Sequence, residues 1–164
     1  MDDKDLTSFE DRAGKYLTFE LGNEVYGLEI LKVQEIIGIM TVTRVPRTPE
    51  FVRGVINLRG KVIPVVDLRI KFGLQSADDT ERTCIIVVQV TKQDTTVTMG
   101  IIVDEVSEVL DIAAKQIEPA PEFGTEIETN FILGMGKVDK KVIMLLDVDK
   151  VLSGGEIEMV SKMS

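Results

Sequence analysis

The chain holds 164 residues, 44% hydrophobic and 29% charged, with a net charge of −9, the profile of a globular protein of one domain or two small, tightly joined ones. No apolar run reaches the length that crosses a bilayer, and the acidity argues against nucleic acid or an anionic membrane as a partner. There is no histidine and one cysteine, which removes the usual general base, the Ser-His-Asp and Cys-His arrangements, the commonest zinc ligand and any internal disulfide.

Residues 1–14 are an acidic, polar lead-in, neither signal nor transit peptide in composition, and read as disordered. Residues 16–21 alternate as a strand does, with Leu17, Phe19 and Leu21 on one face, and Gly22-Asn23 supplies a turn before a second strand over 25–30. Residues 29–36 have room for one helical turn, followed by an extended stretch over 37–45. Pro46 and Pro49 bracket a bend, and 49–52 suits the first turn of a short helix. The apolar runs 54–56 and 62–66 flank Asn57-Leu-Arg-Gly-Lys61 and predict a β-hairpin. Asn57 would open a type I turn and Gly60 close it, which puts Leu58 and Arg59 at two exposed central positions. After the polar stretch 75–82, strand patterns return over 84–90 and 96–103, with Cys84 read as a buried small hydrophobe. A short helix over 111–117, strands over 131–138 and 142–148, and a polar tail, 153–164, helical near its end, complete the chain.

An internal repeat organises these elements. At an offset of 80 residues, Phe51-Val-Arg-Gly54 falls on Phe131-Ile-Leu-Gly134, Lys61-Val-Ile63 on Lys141-Val-Ile143, and Val65-Val-Asp67 on Leu145-Leu-Asp147. Upstream, at an offset of 73, Gly27, Val33 and Glu35 fall on Gly100, Val106 and Glu108. The expectation is a mostly β protein of two copies, 16–75 and 84–152, each a barrel of about five strands, packed about a pseudo-two-fold axis with a groove between them and some exchange of strands possible.

Asp67 and Asp147 hold matching repeat positions; the simpler account of each is a hydrogen bond to its own turn or a cap on the following segment. Residues 147–149 and 78–79 offer too few oxygens for calcium, and Gly134-Met-Gly136 is no phosphate loop. Nothing points to catalysis, a cofactor or a metal. What remains is surface. Seven basic residues and two acids lie between Arg44 and Lys71, against nine acids and one lysine between Asp94 and Glu128, which suggests two oppositely charged faces. Arg59 alone is readily a solvated turn residue, but a leucine beside it at a hairpin tip resembles an interface anchor. Val33, Glu35 and Ile36, with their mates Val106, Glu108 and Val109, could line a groove fit for a partner's amphipathic helix.

The segments Gly27-Leu-Glu-Ile-Leu-Lys-Val-Gln-Glu-Ile36, Pro49-Glu-Phe51, Gly54-Val-Ile-Asn-Leu-Arg-Gly60, Ile63-Pro-Val-Val-Asp-Leu-Arg-Ile-Lys-Phe72, Gly100-Ile-Ile-Val-Asp-Glu-Val-Ser-Glu-Val-Leu110 and Pro119-Ala-Pro-Glu-Phe123 resemble the CheW family. The likeness runs from about residue 15 to 152. It implies two SH3-like five-stranded barrels and a non-enzymatic adaptor that joins the cytoplasmic tips of chemoreceptors to the regulatory domain of the histidine kinase CheA. Such an adaptor is cytoplasmic, monomeric alone, and recruited into membrane-associated receptor arrays. By motif position, the resemblance places Val33, Glu35, Gly54, Leu58, Arg59, Val109 and Phe123 at protein contacts, Phe123 at a kinase-contacting barrel end. The adaptor part of a CheV-like protein, normally followed by a receiver domain, and the regulatory portion of a CheA-type kinase are the alternatives.

Overall fold

A computed structural model describes residues 12–74, 78–92, 94–119 and 131–163. Its strands are β1 (Gly14–Leu21), β2 (Glu24–Glu29), β3 (Val33–Gly38), β4 (Val52–Leu58), β5 (Lys61–Asp67), β6 (Cys84–Lys92), β7 (Thr95–Val103), β8 (Glu105–Ile112), β9 (Ile117–Glu118), β10 (Ile132–Val138) and β11 (Lys141–Leu146). Helix α1 (Leu68–Lys71) follows β5, and α2 (Gly154–Ser161) follows β11. A first sheet runs β8-β1-β2-β11-β10-β9 and a second β3-β6-β7-β5-β4.

The sheets do not divide the chain as the contiguous stretches 16–75 and 84–152 would. β1 and β2 leave the first half to join β8–β11, and β6 and β7 leave the second half to join β3–β5. With β1, β2, β3, β4 and β5 matched to β6, β7, β8, β10 and β11, the two strand orders become the same. The repeat survives at the level of single residues. Gly27 pairs with Leu145 across parallel β2 and β11, and its mate Gly100 pairs with Val65 across parallel β7 and β5. Thr43, bridged to Val55, repeats the pairing of Glu118 with Met135.

This exchange explains the unbroken apolar runs. Ile85 and Val87 of β6 point into their barrel with Ile56, Ile63, Val65 and Ile102. The alternate residues Ile86, Val88 and Val90 point out into a shared core, where they join Leu17, Phe19 and Leu21 of β1. Tyr16 turns the other way, into the first sheet's own core with Ile112, Ile143 and Leu145. Strands buried on both faces need apolar side chains at every position, not at every second one. Helix α2 closes the shared core with Ile157 and Val160. Its N-terminus is held by reciprocal bonds between Ser153 and Glu156, and Glu156 also receives Lys71 Nζ from α1. The tail is therefore packed structure over its helix, Gly154–Ser161.

Several local expectations change. The helical turn over 29–36 is a single 3-10 turn, Ile30–Lys32, and β3 begins at once at Val33 and ends at Gly38, so it overlaps the extended stretch expected over 37–45 only at residues 37 and 38. Residues 49–52 form a β-turn closed by the Val52 N–H on the Pro49 carbonyl, not a helix. The helix over 111–117 is the end of β8 and a 3-10 turn, Ala114–Gln116. Cys84 is half-buried rather than buried. The lead-in up to residue 11 and Phe123 lie outside the described residues.

At Gly54 the chain requires glycine. Its φ is 146°, in a bulge opposite Val65, and a Cβ would overlap the carbonyl oxygen of Thr43, which itself accepts the Val55 N–H. Gly54→Ala is expected to cost about 2–4 kcal/mol, because backbone must move. Gly60→Ala, at φ 85° with open space around it, should cost about 1 kcal/mol of backbone strain alone. Urea denaturation of the two variants checks the contrast; equal losses would contradict it.

Candidate protein-binding site

The opening hairpin closes more tightly than its sequence suggests. Leu58 pairs with Lys61, so the loop is two residues, Arg59 and Gly60, at φ 52° and 85°. Positive φ at both positions matches the loop twist to the twist of the strands. Asn57 Oδ1 accepts the Gly60 N–H at 2.8 Å. Leu58 is thereby a strand residue, half-buried against the core of the second sheet, and it is not the exposed tip residue expected. The matching hairpin has the same loop, Asp139 and Lys140 at φ 50° and 67°. The tip repeats in backbone although not in sequence.

Arg59 reaches from the tip to the edge strand β3. Its guanidinium donates from both terminal nitrogens to Glu35, Nη1 to Oε2 at 2.9 Å and Nη2 to Oε1 at 2.6 Å. The fork-to-carboxylate geometry fixes both side chains. The Arg59 side chain is still 67% exposed, and a pair so wetted contributes about 0–1 kcal/mol to stability. Its energetic use to the fold is small, and its position on open surface is maintained. Ile36, next on β3, stands 43% exposed, while Val33 is half-buried against the shared core. Gly54 lies in the same hairpin but is buried beneath Thr43, so its visible role is packing. Val109 is 48% exposed on β8, the edge of the other sheet. The structure thus brings Glu35, Leu58 and Arg59 together, with Val33 on the same strand as Glu35. Leu31, in the crossover between sheets and 93% exposed, carried no signal in the sequence, where it stands between Ile30 and Lys32.

Residues 15–156 match the family model of the CheW-like domain. The chain belongs to the CheW-like family. It is 43% identical over 150 residues to the chemotaxis protein CheW of Klebsiella aerogenes, covering 92% of this chain and 88% of that protein. It is 34% identical over 139 residues to that of Thermotoga maritima, covering 83% and 85%. A crystal structure of the scaffolding protein TtCheW from Thermoanaerobacter tengcongensis matches with a TM-score of 0.76 at 38% identity, over 88% of this chain and 95% of that one. The two sheets are accordingly two SH3-like barrel subdomains.

Three of the seven bases in the basic segment of this CheW-like chain, Arg53, Arg69 and Lys71, are turned inward. Arg69, only 2% exposed, donates to Asp67, Asp79 and Asp104, and Arg53 adds bonds to Asp67 and Asp79. Asp67 Oδ1 also accepts the Arg69 N–H and caps α1, as Asp147 accepts the Asp149 N–H in the second copy. Lys71 binds Glu156 and lies over the Phe51 ring. Arg44, Arg47, Arg59 and Lys61 remain exposed. Burial pushes the Asp67 carboxyl up, but hydrogen bonds from Arg69 and Arg53 outweigh it and hold the group below its ordinary range. For Asp79, the Arg53 hydrogen bond is the main cause of a similar lowering. Hydrogen bonding to Asp67 leads the causes that raise Arg69. Among the described residues, no group of three or more histidine, cysteine or acidic side chains could hold a metal ion; the carboxylates around Arg69 are occupied by arginine.

Carboxylates held below their ordinary pKa stabilise the fold above about pH 4, the unfolded value, and that contribution fades as pH falls through the depressed values. Arg69→Met removes the central cation and leaves Asp67 buried with only Arg53. The expected cost is about 3–5 kcal/mol at neutral pH, with a flatter fall in stability below about pH 4 because Asp67 is no longer held so low. Urea unfolding across that range measures both; an unchanged acid slope would separate the network from acid sensitivity.

Proposed function

We propose that this chain is a non-catalytic adaptor of bacterial chemotaxis, which couples the cytoplasmic tips of chemoreceptors to the regulatory domain of the kinase CheA within membrane-associated receptor arrays. The observation that carries the reading is the Glu35–Arg59 pair. A bidentate ion pair is held on an exposed barrel edge, beside the exposed Ile36, in a chain of the CheW-like family. It adds little to folding stability, whereas a pre-ordered guanidinium beside apolar surface is the composition of an interface anchor. The reading is also supported by relatives named as chemotaxis proteins and by a solved relative described as a scaffolding protein.

An adaptor transmits a signal through differential contacts. Receptor state shifts the kinase only as far as the contacts made through the adaptor differ between the kinase-on and kinase-off arrangements. In this reading Val33, Glu35, Leu58 and Arg59 form one contact region, Val109 a second on the other barrel, and Phe123 a kinase contact. The absence of histidine and the engagement of Asp67 and Asp79 by arginines fit a protein that binds without catalysis.

A pull-down with a receptor-tip fragment and the CheA regulatory domain tests the proposal, and binding to neither would overturn it. Arg59→Ala is expected to shift folding stability by less than about 1 kcal/mol while weakening ternary assembly about tenfold or more, the range of an interface anchor. Unchanged assembly would return Arg59 to a solvated turn residue.

A further inference from the structure

The loop that carries Arg59 is built against its own preference. A two-residue loop with positive φ at both positions favours Asn-Gly or Asp-Gly, and an arginine at positive φ is uncommon. The second copy follows that rule at the first position, where Asp139 sits at φ 50°. The first copy keeps Arg59 there, at φ 52°, and sets an asparagine two residues before it instead. Asn57 Oδ1 accepts the Gly60 N–H at 2.8 Å, which belongs to the peptide joining Arg59 to Gly60.

That bond is not what makes the turn. In the second copy Lys137 holds the place of Asn57, and its ammonium is drawn to Glu118 at 2.8 Å. Among the described residues, no side chain accepts the Lys140 N–H there, yet the two loops share one backbone. Nor does the bond add much to folding, because Asn57 and Gly60 are both exposed and water would serve the N–H in its place. What the first loop has, and the second lacks, is an arginine that must reach another strand.

The reach has to be accurate. Arg59 meets Glu35 with both terminal nitrogens, at 2.9 and 2.6 Å, and a planar fork on a carboxylate tolerates little rotation. With 67% of the Arg59 side chain exposed, little packing holds it. A long side chain multiplies any rotation of its backbone, and the peptide that Asn57 grips is the one next to the Arg59 Cα. Glu35 is set from its own side. The register of β3 on β6 breaks between Val33 and Glu35, with Gln34 the extra residue, and such a bulge re-aims the side chain beside it. Each partner of the pair thus has its own backbone device.

We propose that Asn57 is a positioning residue for the Arg59 anchor. Its carboxamide oxygen holds the peptide after Arg59, which keeps Arg59 in left-handed backbone and presents the guanidinium on Glu35 before a partner arrives. Ordering the arginine in advance removes that cost from the binding step. Asn57 acts through Arg59 and makes no partner contact of its own. This rests on the adaptor reading, but its physical half, the order of the Arg59 side chain, is a property of the free protein.

Two measurements on the full chain test it. The first needs no partner: NMR relaxation of the Arg59 Nε–H reports how rigidly the side chain is held. Asn57→Ala should lower its order parameter, and Asn57→Asp, which keeps an acceptor in the same place, should restore it. An order parameter left unchanged by Asn57→Ala overturns the proposal whatever the binding data. The second is ternary assembly, with the receptor-tip fragment and the CheA regulatory domain as probes. Asn57→Ala should weaken it about threefold to tenfold, the effect of leaving one long side chain to be ordered on binding, with a urea midpoint close to that of the unaltered chain. In an Arg59→Ala background the same change should cost nothing further, because no arginine is left to position. An equal loss in that background makes Asn57 a contact or a structural residue in its own right, and overturns the proposal while the adaptor reading stands. If the unaltered chain binds neither probe, the adaptor reading falls, and the anchor with it.

Discussion

The rest of the structure depends on β1, β2, β6 and β7 having apolar contacts on both faces. Each pair of strands belongs to one barrel through one face and to the seam between barrels through the other. Leu17, Phe19 and Leu21 meet Ile86, Val88 and Val90 across that seam, and all six are essentially inaccessible to water. Burial of one such side chain is worth about 1.5–3 kcal/mol, so the seam is core rather than a contact between finished domains. The barrels cannot part without exposing it. Any partner that grips both barrels therefore meets two surfaces in a fixed relation.

That rigidity separates two uses of charge. Inside, Arg69 and its three carboxylates sit where the chain crosses between barrels, since Asp104 lies between β7 of one sheet and β8 of the other. The equivalent crossing, between β2 and β3, is held by Lys32 on Asp149, with the signs reversed. Desolvated charges of this kind give little net stability over apolar residues but penalise any arrangement that separates them. Outside, the Glu35–Arg59 pair stays wet and is free to serve recognition. The same residue types thus do different work according to exposure, and net charge does not show which.

The sequence carried the architecture further than the local detail. The offset between Lys61-Val-Ile63 and Lys141-Val-Ile143 was enough to infer two related barrels, because identical side chains in one order reflect identical packing duties. Which strands belong to which barrel was not legible. Exchange of β1–β2 and β6–β7 between copies leaves the pattern along the chain unchanged, since each strand keeps an equivalent neighbour. Arg59 was visible as a tip residue out of place, but its partner Glu35 was not, because the two meet only when the barrel closes. The type I turn at Asn57 failed for a plain reason: arginine at positive φ is uncommon, and the twist of the strands overrode that preference. Arg69 read as one more surface base in a basic segment. Only the fold gathers Asp67, Asp79 and Asp104 around it. Strand β8 hid in a charged stretch, and the repeat alone, by matching Val106 and Glu108 to Val33 and Glu35, pointed to it.

The parallel pairing of β2 with β11 bears on how the protein is made. β11 leaves the ribosome after every other strand of the two sheets, and until it arrives β2 lacks its parallel neighbour and the hairpin has only β8 beside it. β3, β4 and β5 in turn wait for β6 and β7. Neither half of the nascent chain can bury its apolar faces in the native way while the other is missing, and exposed strand edges in that interval invite pairing with other chains. Synthesis, rather than the finished molecule, is the stage at which this protein is most open to aggregation.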